Sequence, residues 1–144
     1  MGSAGFNQPV DNTGNRILIV EDNAINQRVV TSILQKNNLQ SDLVCNGAEA
    51  LAAITEKQYD LILMDCQMPV LDGYEATRQI RIFEKQTGNR RTPVIALTAH
   101  AIKGDREKCL AAGMDDYLSK PFTPADLVSI VDKWLRKSPS YPDQ

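Results

Sequence analysis

Histidine occurs once in the 144 residues, at His100. A metal centre built from imidazoles is therefore excluded. Cysteine occurs three times, at Cys45, Cys66 and Cys109, an odd number at wide spacing. That pattern fits neither a disulfide framework nor a zinc motif, and it points to free thiols in a reducing compartment. No apolar run approaches the roughly 20 residues needed to cross a bilayer. Charge of one sign is missing too, with 16 basic residues against 18 acidic. Nothing in that balance predicts a nucleic-acid or membrane partner. Internal repeats and low-complexity tracts are also absent.

What is present is one domain's worth of chain, long enough to bury about two-thirds of its unfolded surface without staples. Met1 to Gly5 looks like a cloning remnant. Residues 1–15 and 138–144 are polar and punctuated by Pro and Gly, so they are expected to be a flexible linker and tail around a domain at 16–137.

Within that domain, short apolar runs alternate with helical patterns. Arg16–Val20, Leu61–Met64 and Val94–Leu97 read as strands buried on both faces. Ser41–Cys45 alternates imperfectly, Leu43 and Cys45 against Asp42 and Val44, as an edge strand would. Asp116–Ser119 is a short fifth strand. Asn23 caps a first helix whose apolar positions, Ile25, Val29, Ile33 and Leu34, predict an inward face ended by Asn37 and Asn38. Helices follow over 48–57 (Ala50, Leu51 and Ile54 inward), 74–85 (Thr77, Ile80 and Phe83 or Ile82 inward) and 105–112, which ends on Gly113. Pro124 opens the last helix, striped by Leu127, Ile130, Val131, Trp134 and Leu135. Five strands alternating with five helices predict an α/β fold with a parallel sheet covered on both faces.

The ends of the strands carry the chemistry. Strand one ends in Glu21-Asp22, strand three in Asp65, strand four in Thr98 and strand five in Lys120. In a parallel sheet these C-terminal ends face one crevice, where ligands bind in open α/β folds. Three carboxylates crowded there repel one another and call for a cation. A hard divalent ion with oxygen ligands, Mg2+ (or Mn2+), answers that need. A lysine and a hydroxyl beside it suit the oxygens of a phosphoryl group. A carboxylate can itself be the nucleophile in phosphoryl transfer, which otherwise needs mainly positioning and charge neutralisation. Asp65, alone on the central strand, is the natural nucleophile, with Glu21 and Asp22 holding the metal.

Two other chemistries fit less well. An aspartate-nucleophile phosphatase of the haloacid-dehalogenase type needs a second Asp two residues on, where Gln67 stands. A flavin module needs a phosphate-cradling loop after strand one, where Glu21-Asp22 would repel the phosphate.

The pieces Ile19-Val-Glu-Asp22-Asn23, Leu63-Met-Asp65-Cys-Gln-Met-Pro69 with Asp72-Gly73, Ala96-Leu-Thr98-Ala and Gly113 to Phe122 together resemble a receiver domain of two-component signalling, over Arg16 to Lys137. The resemblance implies a flavodoxin-like sheet in the order 2-1-3-4-5. It implies phosphorylation of Asp65 by a phosphohistidine, with Mg2+ held by Asp22, Asp65 and the backbone carbonyl of Gln67, and by Glu21 through water. Thr98 and Tyr117 match the family's switch pair, and Lys120–Pro121 its cis peptide. Gln67 and His100 occupy the positions that flank the water attacking the phosphorylated residue and so tune its lifetime. Such a domain catalyses its own phosphorylation and dephosphorylation.

The wording of Glu21 to Gln27, of Gly73 to Arg78 and of Ala96 to Ala101 resembles receivers fused to hybrid sensor histidine kinases. That implies a cytoplasmic, monomeric domain of a kinase that can be membrane-anchored. Its partners would be the histidine kinase core and a histidine-phosphotransfer domain. A stand-alone response regulator and a degenerate, purely protein-binding receiver are the alternatives. The segment from Ala101 to Ala112, with Tyr117 and Trp134, is a candidate partner surface.

Overall fold

The structure, a computed structural model, describes residues 16–66, 68, 71–99 and 103–136. The expected tails, Gln67, His100, Ala101 and Lys137 lie outside these. Five strands, β1 (Arg16–Val20), β2 (Gln40–Val44), β3 (Leu61–Asp65), β4 (Val94–Thr98) and β5 (Asp116–Ser119), form one parallel sheet in the order β2-β1-β3-β4-β5. The helices α1 (Ala24–Lys36), α2 (Gly47–Glu56), α3 (Gly73–Thr87), α4 (Lys103–Ala112) and α5 (Pro124–Arg136) connect them.

Because side chains alternate along a strand, each central strand feeds two cores at once. Leu18, Val20, Ile62, Met64, Val94 and Ala96 pack with Ala50, Ala76, Ile80 and Cys109 on the side of α2, α3 and α4. Ile17, Ile19, Leu61, Leu63, Ile95 and Leu97 pack with Val30, Leu34, Leu127 and Val131 on the side of α1 and α5. The uninterrupted apolar runs of β1, β3 and β4 follow from this, since a strand covered on both faces has no solvent side to make polar.

The edge strand β2 departs from that pattern. Val44 packs inward while Leu43 and Cys45 are exposed. In α3 Phe83 rather than Ile82 turns toward the core, and Tyr74, Ala76 and Glu84 are buried with the expected Thr77 and Ile80. The cap residues behave as their chemistry demands. Asn23 accepts from the Asn26 N–H, Asn46 from Glu49 and Asp72 from Glu75, each satisfying a donor that the helix itself leaves open. Gly113 closes α4 at φ 105°, a left-handed conformation that an L side chain rarely adopts.

One expectation fails. Ile25 and Val29 do not face the core; they are 73% and 45% exposed, and Val30 is buried in their place. The inward line of α1 runs through Val30, Ile33 and Leu34. Extended one turn toward the N-terminus, that line meets Asn26 and Gln27, both half-buried beyond the end of the sheet. A helix whose first turn overhangs the strand ends needs polar groups there, and its apolar Ile25 and Val29 are left on the outer side.

Candidate functional site

Sheet register assembles the site. Val20 pairs with Met64 and Asp65 with Leu97, so one further step along β1 sets Glu21 beside Asp65. Thr98, the last residue of β4, is buried opposite Ser119, and the Lys120 N–H donates to the Thr98 carbonyl at 2.7 Å. The Lys120–Pro121 peptide is cis. Behind Asp65, the Gly73 N–H donates to the Cys66 carbonyl. A Cβ on Gly73 would run into the Asp65 carbonyl oxygen, so only glycine lets α3 start this close to the strand end.

Carboxylate oxygens of Glu21, Asp22 and Asp65 lie within 4.8 Å of one another. Glu21 and Asp65 are buried and Asp22 is exposed. Lys120 Nζ bridges the two buried acids, 3.2 Å from Asp65 Oδ1 and 3.4 Å from Glu21 Oε1. Oε2 of Glu21 accepts from the Asn23 N–H at 3.2 Å and from Asn26 Nδ2 at 3.4 Å. Burial, and then the Asp65 charge, raise the Glu21 carboxyl above its ordinary range against the opposing pull of Lys120.

One ammonium against three carboxylates leaves negative charge concentrated in a partly buried crevice. The donors are hard oxygens. A hard divalent cation such as Mg2+ fits that set and a soft metal does not.

The other expected residues fall as follows. Tyr117 sits half-buried on β5, packed against the core on the α3 and α4 side. Trp134 is half-buried as well, and its Nε1 donates to Asp116 Oδ2 at 2.9 Å, which gives it a role in joining α5 to β5. Gln67 and His100 lie outside the described residues. The three cysteines form no disulfide; Cys45 is exposed, while Cys66 and Cys109 are buried. Burial pushes the Cys66 thiol up to about 12. A thiol so placed is inert at neutral pH.

Sequence reasoning passed over the contacts of Asn26 and Gln27. Gln27 Nε2 donates to the Glu21 carbonyl at 2.7 Å. The signal was available in the spacing of 26, 30, 33 and 34, which continues the buried stripe with amides. A cavity of about 450 Å3 also opens beside the cluster, lined by Glu21, Asn26, Val29, Val30, Ala99, Lys120, Pro121 and Phe122.

Known proteins resemble this chain in sequence and in fold. Sensor protein GacS of Pseudomonas syringae is 37% identical over 131 residues, which is 91% of this chain and 14% of that protein. Hybrid signal transduction histidine kinase I of Dictyostelium discoideum is 41% identical over 127 residues, 85% of this chain and 7% of that protein. The chain thus spans a small fraction of these relatives. Among solved structures, the receiver domain of a sensor histidine kinase from Pseudomonas aeruginosa PAO1, with a magnesium ion coordinated in its active-site cleft, is 49% identical with a TM-score of 0.77. The match covers 86% of this chain and 99% of that one. A receiver domain of the response regulator Ssk1, crystallised with the Saccharomyces cerevisiae histidine phosphotransfer protein Ypd1, is 39% identical with a TM-score of 0.81, covering 90% of this chain and 93% of that one. The family model for the response regulator receiver domain matches residues 17–132. With strand order, acidic cluster and sequence in agreement, this chain belongs to the response regulator receiver domain family of two-component signalling.

Proposed function

We propose that the chain accepts a phosphoryl group from a phosphohistidine onto Asp65 and hands it on to a histidine-phosphotransfer domain, as one station of a phosphorelay. The observation that carries this is the placement of Lys120 Nζ, 3.2 Å from Asp65 Oδ1, next to carboxylates of Glu21 and Asp22 within 4.8 Å. An Asp65 oxygen attacks phosphorus, the P–N bond to the donor imidazole breaks, and the imidazole leaves with the electron pair. Lys120 offsets charge on the phosphoryl oxygens, and the Thr98 hydroxyl donates a hydrogen bond to one of them. Asp22, Asp65 and the Gln67 carbonyl would hold Mg2+ (or Mn2+), with Glu21 beside them, and the ion supplies charge neutralisation for the transferring group.

In this reading Thr98 and Tyr117 form the switch, the aromatic turning inward as the hydroxyl is drawn to the phosphate. Gln67 and His100 flank the path of the hydrolysing water. Neither offers a carboxylate base, so the phosphorylated state is long-lived enough to pass on.

Onward transfer needs a partner seated over the crevice. Ile25 and Val29 supply an apolar, solvent-facing pair on α1, continuous with the cavity lined by Val29, Pro121 and Phe122 at the edge of the acidic cluster. Exposed apolar groups gathered at the mouth of a charged site favour a protein partner that brings its own histidine. The complex of a phosphotransfer protein with a 39% identical receiver supports that choice.

The test is intact mass after incubation with acetyl phosphate or a phosphohistidine donor and Mg2+. The wild type gains one phosphate, and Asp65→Asn gains none while keeping its fold. Equal labelling of Asp65→Asn would defeat the assignment.

A further inference from the structure

We infer that Gln27, assisted by Asn26, is the positioning residue that aims the acid pair of β1 at the metal site. The inference rests on the cluster being a divalent-cation site.

β1 ends at Val20, and its ladder contact with β2 closes with the Glu21 N–H donating to the Val44 carbonyl at 3.1 Å. The peptide joining Glu21 to Asp22 lies beyond the sheet, where no strand fixes its orientation. Gln27 does so instead. Its backbone N–H donates to the Asn23 carbonyl at 2.9 Å, the first bond of α1, and its side-chain Nε2 returns to the Glu21 carbonyl at 2.7 Å. The same amide reaches toward Cys45 Sγ at 3.8 Å, which keeps it on the β2 side of the turn.

Asn26 acts on the other end of the same residue. Its N–H is capped by Asn23 Oδ1 at 3.0 Å, and its Nδ2 reaches Glu21 Oε2 at 3.4 Å. Residues 21–27 thus close into a ring in which Glu21 is held through both its carbonyl and its carboxylate. The Asp22 carboxylate hangs from the peptide that Gln27 pins, so its direction is set by an amide outside the cluster.

The chemistry of the choice is specific. The site already holds three carboxylates and one ammonium. A carboxylate at position 27 could not donate to the Glu21 carbonyl. A lysine could, but would repel the cation that the cluster attracts. A neutral amide donates without altering the charge. Partners of this kind, which orient metal ligands without touching the metal, typically govern affinity by about tenfold or more.

The experiment is titration calorimetry with MgCl2 on wild type, Gln27→Met, Asn26→Ser and Asp22→Asn, with thermal melts in metal-free buffer. Gln27→Met keeps the length and helix propensity of the side chain but loses the donor. We expect its Mg2+ affinity to fall about tenfold, with phosphate uptake from acetyl phosphate returning to the wild-type extent at saturating Mg2+. Asn26→Ser should shift affinity by a smaller factor in the same direction. A lower melting temperature with wild-type Mg2+ affinity in Gln27→Met would make the bond merely structural and overturn the inference. Should that variant not fold, unchanged affinity in Asn26→Ser overturns it. Asp22→Asn separates the levels. If it binds Mg2+ as the wild type does, the cation-site reading itself fails and the inference with it.

Discussion

Lys120 Nζ lies within hydrogen-bonding distance of both Asp65 and Glu21, residues 55 and 99 positions away in the chain. It is the cation that lets two buried carboxylates stand side by side. Lys120→Met removes the positive charge between them and should lower stability by about 1–3 kcal/mol in metal-free buffer. On the proposed reading, added Mg2+ should restore part of the loss, because only the folded chain brings the cluster's oxygens together. Phosphate uptake should still fall steeply. Urea midpoints with and without Mg2+ check this; a midpoint that neither drops nor responds to the metal contradicts it.

Ile25 and Val29 make no core contacts worth protecting. Replacing either by Glu should shift stability by only about 0.5 kcal/mol or less. Uptake from acetyl phosphate should be unchanged, while exchange with a histidine-phosphotransfer domain slows. Transfer that proceeds at the wild-type rate in Ile25→Glu/Val29→Glu would remove this patch from the docking surface.

Far from the acidic cluster, Arg81 ties α3 to the start of β4 and to the turn before β5. It donates to Glu84, to the Gly113 and Thr92 carbonyls and to Asp115, whose Oδ2 also accepts from the Val94 N–H. All three charged side chains are at most 15% exposed. Arg81→Met should cost about 1–3 kcal/mol, because it takes the charged partner from buried Glu84 while Asp115 keeps Arg91 at 2.8 Å. Chemical denaturation should show this as a lower midpoint with the Mg2+ affinity intact; a cost within error of zero would mean that the network is solvated.

Asp116 is partly buried, which opposes its ionisation, yet the donors Trp134 Nε1, the Tyr117 N–H and Lys133 outweigh this and hold its pKa below the usual 3.8. A carboxyl depressed by folding adds stability that is complete above the unfolded value and fades as pH falls through the folded one. Asp116→Asn should then be less stable than wild type at neutral pH, with the gap closing below about pH 4. Denaturation followed by fluorescence of Trp134, the chain's single tryptophan, reads this directly. A gap independent of pH would show that Asp116 acts by packing rather than by charge.

The element order and the two-sided burial of β1, β3 and β4 can be read from the residues alone, because an apolar run with no polar alternation fits only a strand covered on both faces. So can the acids, the hydroxyl and the lysine at the strand ends, since those positions follow directly from where each run stops. The cap of the first helix was legible as well: Asn23 satisfies a donor three residues on, and the structure adds Asn46 and Asp72 in the same role.

Which of those groups meet, and which face of a helix is the inner one, depends on how the elements pack. That Glu21 flanks Asp65 follows from the register of β1 on β3, and Lys120 joins them across the sheet; periodicity along one strand carries no information about its neighbour. The inward face of α1 was misjudged because a wide apolar sector, from Ile25 through Leu34, offers more than one stripe. The first turn of the helix reaches beyond the strand ends, where Asn26 donates to the Glu21 carboxylate and Gln27 to the Glu21 carbonyl, and Ile25 and Val29 are left to solvent.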